Sequence, residues 1–190
     1  MRIGVDLDGV VFNSEEMFRA WAELNDIELG GHGVSHPEEL KVLQRYDWPN
    51  EECSKFLDNY LLPVLEVAPL MPLAKEVINM LRSDGHEFIA ITSRFRPGEV
   101  EITERRMKEE GFDFPVVYTG GKKAQSCLDN KIDVMVEDFY GYVEEMADAG
   151  ITCIQLVPPP IKEVHRDNVF ICRNWGEIYR TIIKLCEKSN

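Results

Sequence analysis

Two aspartates separated by one residue close an apolar run near the start of the chain, in Ile3-Gly4-Val5-Asp6-Leu7-Asp8-Gly9-Val10-Val11. A β-strand turns successive side chains to opposite faces, so Asp6 and Asp8 project to the same side where the strand stops. Gly9 lets the chain turn sharply beside them. Two close carboxylates repel, and such a pair is usually held by a metal ion or by unequal sharing of one proton. Both arrangements serve catalysis. Three further groups of reactive residue types sit at comparable places: Thr92-Ser93-Arg94 after the apolar Phe88 to Ile91, the basic pair Lys122-Lys123, and Glu137-Asp138 after Ile132 to Val136. Together they supply a nucleophile, an acid, a hydroxyl donor, a cation and a metal ligand, the parts of a phosphoryl-transfer site. Each has a plainer reading alone: a solvated strand end, a helix cap, an exposed basic pair. Their joint placement argues against four separate coincidences.

For these residues to meet, the elements carrying them must share one edge. From Met71 onward helical and strand patterns alternate. Helices are expected over Leu73 to Arg82, Val100 to Glu110, Ala124 to Leu128, Val143 to Ala149 and Trp175 to Cys186. Strands are expected over Glu87 to Thr92, Pro115 to Tyr118, Ile132 to Glu137, Ile151 to Val157 and Asn168 to Cys172, with Pro158-Pro159-Pro160 as a rigid connector. Such alternation predicts an α/β fold, a Rossmann-like parallel sheet with helices on both faces. In open sheets of this class ligands bind beyond the carboxyl ends of the strands, where the candidate residues fall. Between the first strand and Met71 only helical patterns occur: Ser14 to Leu24, Pro37 to Arg45 and Glu51 to Leu62. We therefore expect a core of residues 1–11 and 70–190 with a helical insertion over 12–69.

Composition narrows the function. The 190 residues carry 44% hydrophobic and 29% charged side chains, as an ordinary globular protein does. A net charge of −13 repels nucleic acid polymers and anionic membranes, while leaving room for local cations to hold a small phosphate. The five cysteines are widely spaced without zinc-like pairing, and no apolar stretch approaches membrane-spanning length. A cytoplasmic protein with a small phosphorylated ligand is the expectation. The chain lacks G-x-G-x-x-G after a strand, and Gly121-Lys122-Lys123 lacks the remainder of a P-loop.

Val5-Asp6-Leu7-Asp8-Gly9-Val10, Ile89-Ala90-Ile91-Thr92-Ser93, Lys123 and Val136-Glu137-Asp138 resemble the four ordered motifs of the haloacid dehalogenase-like (HAD) superfamily. The resemblance implies that the insertion is a small cap and that Asp6 attacks phosphorus to form an aspartyl-phosphate. Asp8 would be the general acid and then the base, its pKa raised by neighbouring carboxylates. Thr92 and Ser93 would bind phosphoryl oxygens with Lys123, and Asp6, Asp8 (through its backbone carbonyl) and Asp138 would hold Mg²⁺. Lys122 rivals Lys123. Glu137 stands where a second aspartate is common and would touch either the metal or its waters. Arg94 has two open roles, toward a second anionic group of the ligand or toward Glu99 or Glu137.

An acid at Asp8 implies a phosphatase or phosphomutase rather than a dehalogenase or an ATPase pump. The short helical insertion, the Thr92-Ser93 pair and the Ile132 to Asp138 stretch further resemble the deoxyribonucleotidase-like group and its bacterial nucleotidase relatives. A nucleoside 5′-monophosphate is then the expected substrate, with a sugar phosphate, a mutase reaction or a non-catalytic binding protein as alternatives. A phospho-receiver fits poorly, because its acidic pair precedes an internal phosphoacceptor. Trp21, Tyr46 and Trp48 are able to stack on a base, although aromatics in small insertions more often pack. Phe12 and Trp21 are the candidates for substrate contact.

Overall fold

The computed structural model describes residues 1–158 and 160–189. Pro159 of the expected proline connector, and Asn190 at the end of the expected core segment, lie outside the described residues. Six parallel strands form one sheet: β1 (Arg2–Val5), β2 (Glu87–Thr92), β3 (Val116–Tyr118), β4 (Val134–Glu137), β5 (Thr152–Leu156) and β6 (Val169–Cys172). They lie in the order β3-β2-β1-β4-β5-β6, so the chain winds outward from β1 in both directions. The expected parallel α/β architecture is borne out.

Alternation along the strands decides which core each side chain joins. Ile3, Val5, Val134, Val136, Ile154 and Leu156 face one layer. It is completed by Val77, Ile78 and Leu81 of α3 (Ala74–Ser83) and by Trp175, Ile178 and Ile182 of α7 (Trp175–Ser189). Met135 and Cys153 face the other, with α5 (Lys123–Asp129) and α6 (Tyr140–Asp148). β4 is buried along its whole length, as a central parallel strand should be. The remaining core helix, α4 (Pro97–Glu109), follows β2.

The insertion builds its own core. α1 (Ser14–Glu28) and α2 (Asn50–Val67) bury Phe18, Ala22, Phe56, Val64 and Leu65 against Val42 and Tyr46. Its two connections with the sheet run side by side, Asn13 N–H donating to Pro69 O and Met71 N–H to Val11 O, both at 2.8 Å. The helix expected over Pro37 to Arg45 is corrected to a loop with one 3₁₀ turn at Val42–Gln44. The backbone bonds there to Arg45 instead of to its own next turn. The Arg45 guanidinium reaches Pro37 O and Glu39 O at 3.0 and 2.8 Å, and Arg45 O accepts the Ser35 and His36 N–H groups.

β1 ends in a tight loop that fixes both aspartates. Asp6 N–H still donates to Val136 O of β4 at 2.9 Å, and Leu7 O then accepts Val11 N–H and Phe12 N–H at 3.0 and 2.8 Å. The loop is tied to α7 by the buried Trp175, whose Nε1–H donates to Val10 O at 2.8 Å. Replacing Trp175 with Phe strands that carbonyl and opens a small void, which costs about 2 kcal/mol. Urea denaturation should show a lower midpoint with an unchanged slope; an unchanged midpoint would mean that the tie contributes nothing.

Candidate active site

The carboxyl ends of β1, β2 and β4, three neighbours at the middle of the sheet, carry the expected residues to one place. Lys123, the first residue of α5, is wholly buried and sets its ammonium 2.8 Å from Asp6 Oδ2 and 2.5 Å from Glu137 Oε2. Lys122 is exposed at the cap of the same helix, so of the two lysines it is Lys123 that joins this cluster. Burial alone would drive the Lys123 ammonium to shed its proton, but Asp6 and Glu137 outweigh it and the lysine stays charged. Glu137 is committed to local contacts: its other oxygen accepts the Asp138 and Phe139 N–H groups at 3.3 and 3.1 Å.

The acidic groups exceed the cations. Burial, aided by Glu137 and Asp8 and opposed by Lys123, pushes Asp6 up to about 7. Burial also lifts Asp138 well above the ordinary carboxylate range, with Glu137, Asp6 and Glu15 adding to it. Asp6, Glu137 and Asp138 each offer a carboxylate oxygen within 4.8 Å of one another, and Asp6 Oδ1 is buried without a hydrogen-bond partner among the described residues. An unpartnered buried oxygen beside two more carboxylates is the donor set of a hard divalent cation. Gly9 makes the approach possible, since at its φ of +70° an added Cβ would lie 1.8 Å from Asp138 Oδ2.

Asp8 differs from the expectation. Instead of being raised by carboxylate neighbours, it is gripped by Arg94, Nε donating to Oδ2 at 2.9 Å and Nη2 to Oδ1 at 2.7 Å, with Ser14 Oγ–H adding a third bond at 2.7 Å. Burial raises the group, but these partners prevail and hold it below its ordinary pKa. Arg94 therefore pairs with neither Glu99 nor Glu137. It is itself braced by Thr103 Oγ1 at 2.8 Å, while Glu99 caps α4 by accepting the Phe95 and Arg96 N–H groups.

A cavity of about 550 Å³ opens over these groups, and Asp6, Asp8, Ser93, Glu137 and Asp138 line its floor. Thr92 is fully buried and is not among the lining residues; its Oγ1 accepts only the Arg94 N–H, at 3.4 Å. Neither aromatic candidate lines it. Phe12 is buried where the connections of the insertion cross, between the Arg94 and Arg106 guanidinium groups, and Trp21 stacks on Tyr60 with ring centres 5.0 Å apart. Both serve packing. Among the lining residues that the sequence reading did not single out are Glu15 in the first turn of α1 and Lys41 ahead of the 3₁₀ turn. Glu15 carries no pattern to mark it, and Lys41 was hidden in the expected helix.

No protein-family model matches the chain. A Clostridium acetobutylicum protein named a nucleotidase is 25% identical over 142 residues, 74% of this chain and 73% of that protein. Among solved structures, an HAD family hydrolase from Deinococcus radiodurans with bound phosphate and sodium superposes with a TM-score of 0.66 at 16% identity, covering 96% of this chain and 95% of that one. A haloacid dehalogenase-like hydrolase from Streptococcus pneumoniae gives 0.69 at 13% identity, covering 95% and 97%.

The acidic cluster gives stability a pH dependence whose sign follows from the raised groups. A carboxyl with a higher pKa in the folded state binds its proton more tightly there, so the stability that these groups lend is fully present below the ordinary carboxylate range and is lost as pH rises toward about 7, the value reached by Asp6 and Glu15. The melting temperature of metal-free protein should be lower at about pH 8 than at about pH 6, and added Mg²⁺ should restore it mainly at the higher pH. A melting temperature that rises over this range, or one indifferent to Mg²⁺, would contradict the assignment.

Proposed function

We propose, from the haloacid dehalogenase-like fold that this chain carries, that it is a Mg²⁺-dependent phosphomonoester hydrolase with Asp6 as nucleophile. The observation that carries the reading is the state of Asp6, one oxygen held by Lys123 and the other buried and unpartnered at the floor of the cavity. Asp6, Asp138 and the backbone carbonyl of Asp8 would hold the Mg²⁺, which when bound offsets the charge of the phosphate against the carboxylates.

The remaining work falls to the chain. A carboxylate oxygen of Asp6 bonds to phosphorus as the ester bond breaks, and the departing alkoxide takes a proton from Asp8. Arg94 holds Asp8 ionised in the resting site, so Asp8 must gain its proton as the substrate arrives; the incoming negative charge raises its pKa in that direction. In the second step Asp8, again a carboxylate, removes a proton from the water that attacks the aspartyl-phosphate, and phosphate departs. Ser93 lines the cavity and would meet the phosphoryl oxygens, while Lys123, held behind it between Asp6 and Glu137, would offset through Asp6 the charge that develops there. Thr92 would act from behind, by anchoring the Ser93 loop through its carbonyl, which accepts Thr119 N–H at 2.9 Å.

Residues 12–69 would be the cap over a core of 1–11 and 70–190. Phe18, Leu43, Leu57, Leu61, Leu65 and Phe95 face the cavity above its polar floor. A sugar phosphate would bury only hydroxyl-bearing carbons there, each unpaired hydroxyl costing about 1–3 kcal/mol, whereas a nucleoside adds to its one sugar a base with flat apolar faces. This favours a nucleoside 5′-monophosphate over a sugar phosphate, in line with the name of the Clostridium relative. With five unpaired cysteines the protein would work in the reducing cytoplasm.

Phosphate release from nucleoside monophosphates, sugar phosphates and p-nitrophenyl phosphate, with Mg²⁺ or EDTA, tests the reading. Release should require Mg²⁺, favour the nucleotides and fall by about a thousandfold or more in Asp6→Asn. Folded wild type that releases phosphate from no substrate would overturn it.

A further inference from the structure

Cations are scarce where an anionic substrate would arrive. Lys123 and Arg94 are buried behind the wall of the cavity and already face Asp6 and Glu137, and Asp8, respectively. Among the described residues, only Lys41 and Arg96 bring positive charge to the cavity surface, against six lining carboxyl groups. Arg96 belongs to the exposed end of the β2–α4 loop and lies over the equally exposed Phe95 ring at 5.9 Å. Lys41 is exposed as well, but its loop and its ammonium are held.

The segment that carries Lys41 belongs to the insertion yet is fastened to the core beside the site. Glu38 O accepts Lys162 N–H at 3.1 Å, and the Glu39 carboxylate accepts Tyr140 Oη–H at 3.0 Å. Leu40 is buried with Val157 and Ile161. The Lys41 ammonium then lies 3.8 Å above the ring of Phe139, the residue after Asp138, and 5.3 Å from the ring of Tyr142. Lys123 approaches the same Tyr142 ring at 4.7 Å, so the two ammonium groups converge on one edge of the site. Lys41 makes no ion pair among the described residues, although Glu137, Glu15 and Asp138 all act on it. Partial loss of hydration, the larger influence, lowers its pKa. A lysine ordinarily loses much side-chain freedom when it grips a ligand. Here the ring contact and the fastened loop have already restricted it, and its N–H donors are left without a carboxylate.

We propose that Lys41 is the substrate-anchoring cation of this site: it binds a phosphate oxygen of the incoming ester and ties occupancy of the site to the docked position of the 38–41 loop. The inference rests on the phosphatase reading for its substrate and on the loop geometry for its residue. It makes the insertion a contributor of a ligand-binding charge as well as an apolar roof. Lys41 would act on binding, leaving bond formation at Asp6 untouched.

Two readouts on the full chain with Mg²⁺ present separate this proposal from the phosphatase reading: calorimetric titration with inorganic phosphate, and steady-state kinetics on p-nitrophenyl phosphate. In Lys41→Met the affinity for phosphate should fall about ten- to a hundredfold, the range of a charge-assisted hydrogen bond, and KM should rise alike while kcat stays within about threefold. Lys41→Arg should recover most of the affinity. Tyr140→Phe, which frees Glu39 but keeps the lysine, should weaken phosphate binding by a smaller factor and guards against a fold defect in the first variant. Phosphate binding that depends on Lys41 without turnover would keep the anchor and remove the phosphatase. Turnover with KM and phosphate affinity unchanged in Lys41→Met, or a wild type that binds no phosphate, would overturn the anchor.

Discussion

A single buried ammonium makes this site possible. Lys123 has no exposure to solvent and stands between Asp6 and Glu137. Removing one partner from such an arrangement ordinarily costs about 3–5 kcal/mol, because the charge left behind is buried and unpaired. The three groups are mutually dependent, and they fasten α5 to the ends of β1 and β4. Yet one ammonium does not balance two carboxylates, and Asp138 and Glu15 add to the excess. The residual negative charge, enclosed and short of hydrogen bonds at Asp6 Oδ1, is a standing demand for a cation. On the proposed function, a phosphate ester would be accommodated through that cation and the few positive side chains nearby.

The sheet explains why these groups are available together. Its order, with β1 and β4 adjacent at the centre, brings two strand ends from opposite halves of the winding beside each other. β1 is apolar from Ile3 to its end at Val5 and β4 is apolar until Glu137, so on this edge the charge begins where the packed core stops. The insertion leaves this edge through Val11 to Asn13 and returns through Pro69 to Met71, two connections bonded to each other. With its own core of Phe18, Phe56, Leu65 and their neighbours, it covers the cavity as a unit while the 38–41 loop reaches across to α6.

Much of this was legible in the chain because the signals were local. The apolar runs that end in Asp6, Thr92 and Glu137 mark strands by their composition, and strand ends in a parallel sheet are where ligands bind. Lys123 against Lys122 could not be settled by type or spacing, since only the start of α5 decides which lysine turns inward. The state of Asp8 was misjudged for a similar reason. Asp6 lies two residues away and suggests repulsion, but Arg94, 86 positions later, supplies a bidentate partner. The 37–45 segment reads as helical by its apolar spacing, and the bonds of the Arg45 side chain back to Pro37 O and Glu39 O override it. Phe12 and Trp21 look like ligand contacts by residue type alone, and their neighbours Arg106 and Tyr60 show them to be packing. Long-range pairing is what a linear reading lacks.

The central claim is that Asp6 carries the phosphoryl group. Rapid acid quenching of a single turnover with a ³²P-labelled ester, followed by peptide mapping, addresses it most directly. The account predicts transient, hydroxylamine-labile label on the peptide containing Asp6, absent in Asp6→Asn. Turnover with ³²P appearing only as free phosphate at every quench time, and an Asp6→Asn variant that still turns over, would contradict it.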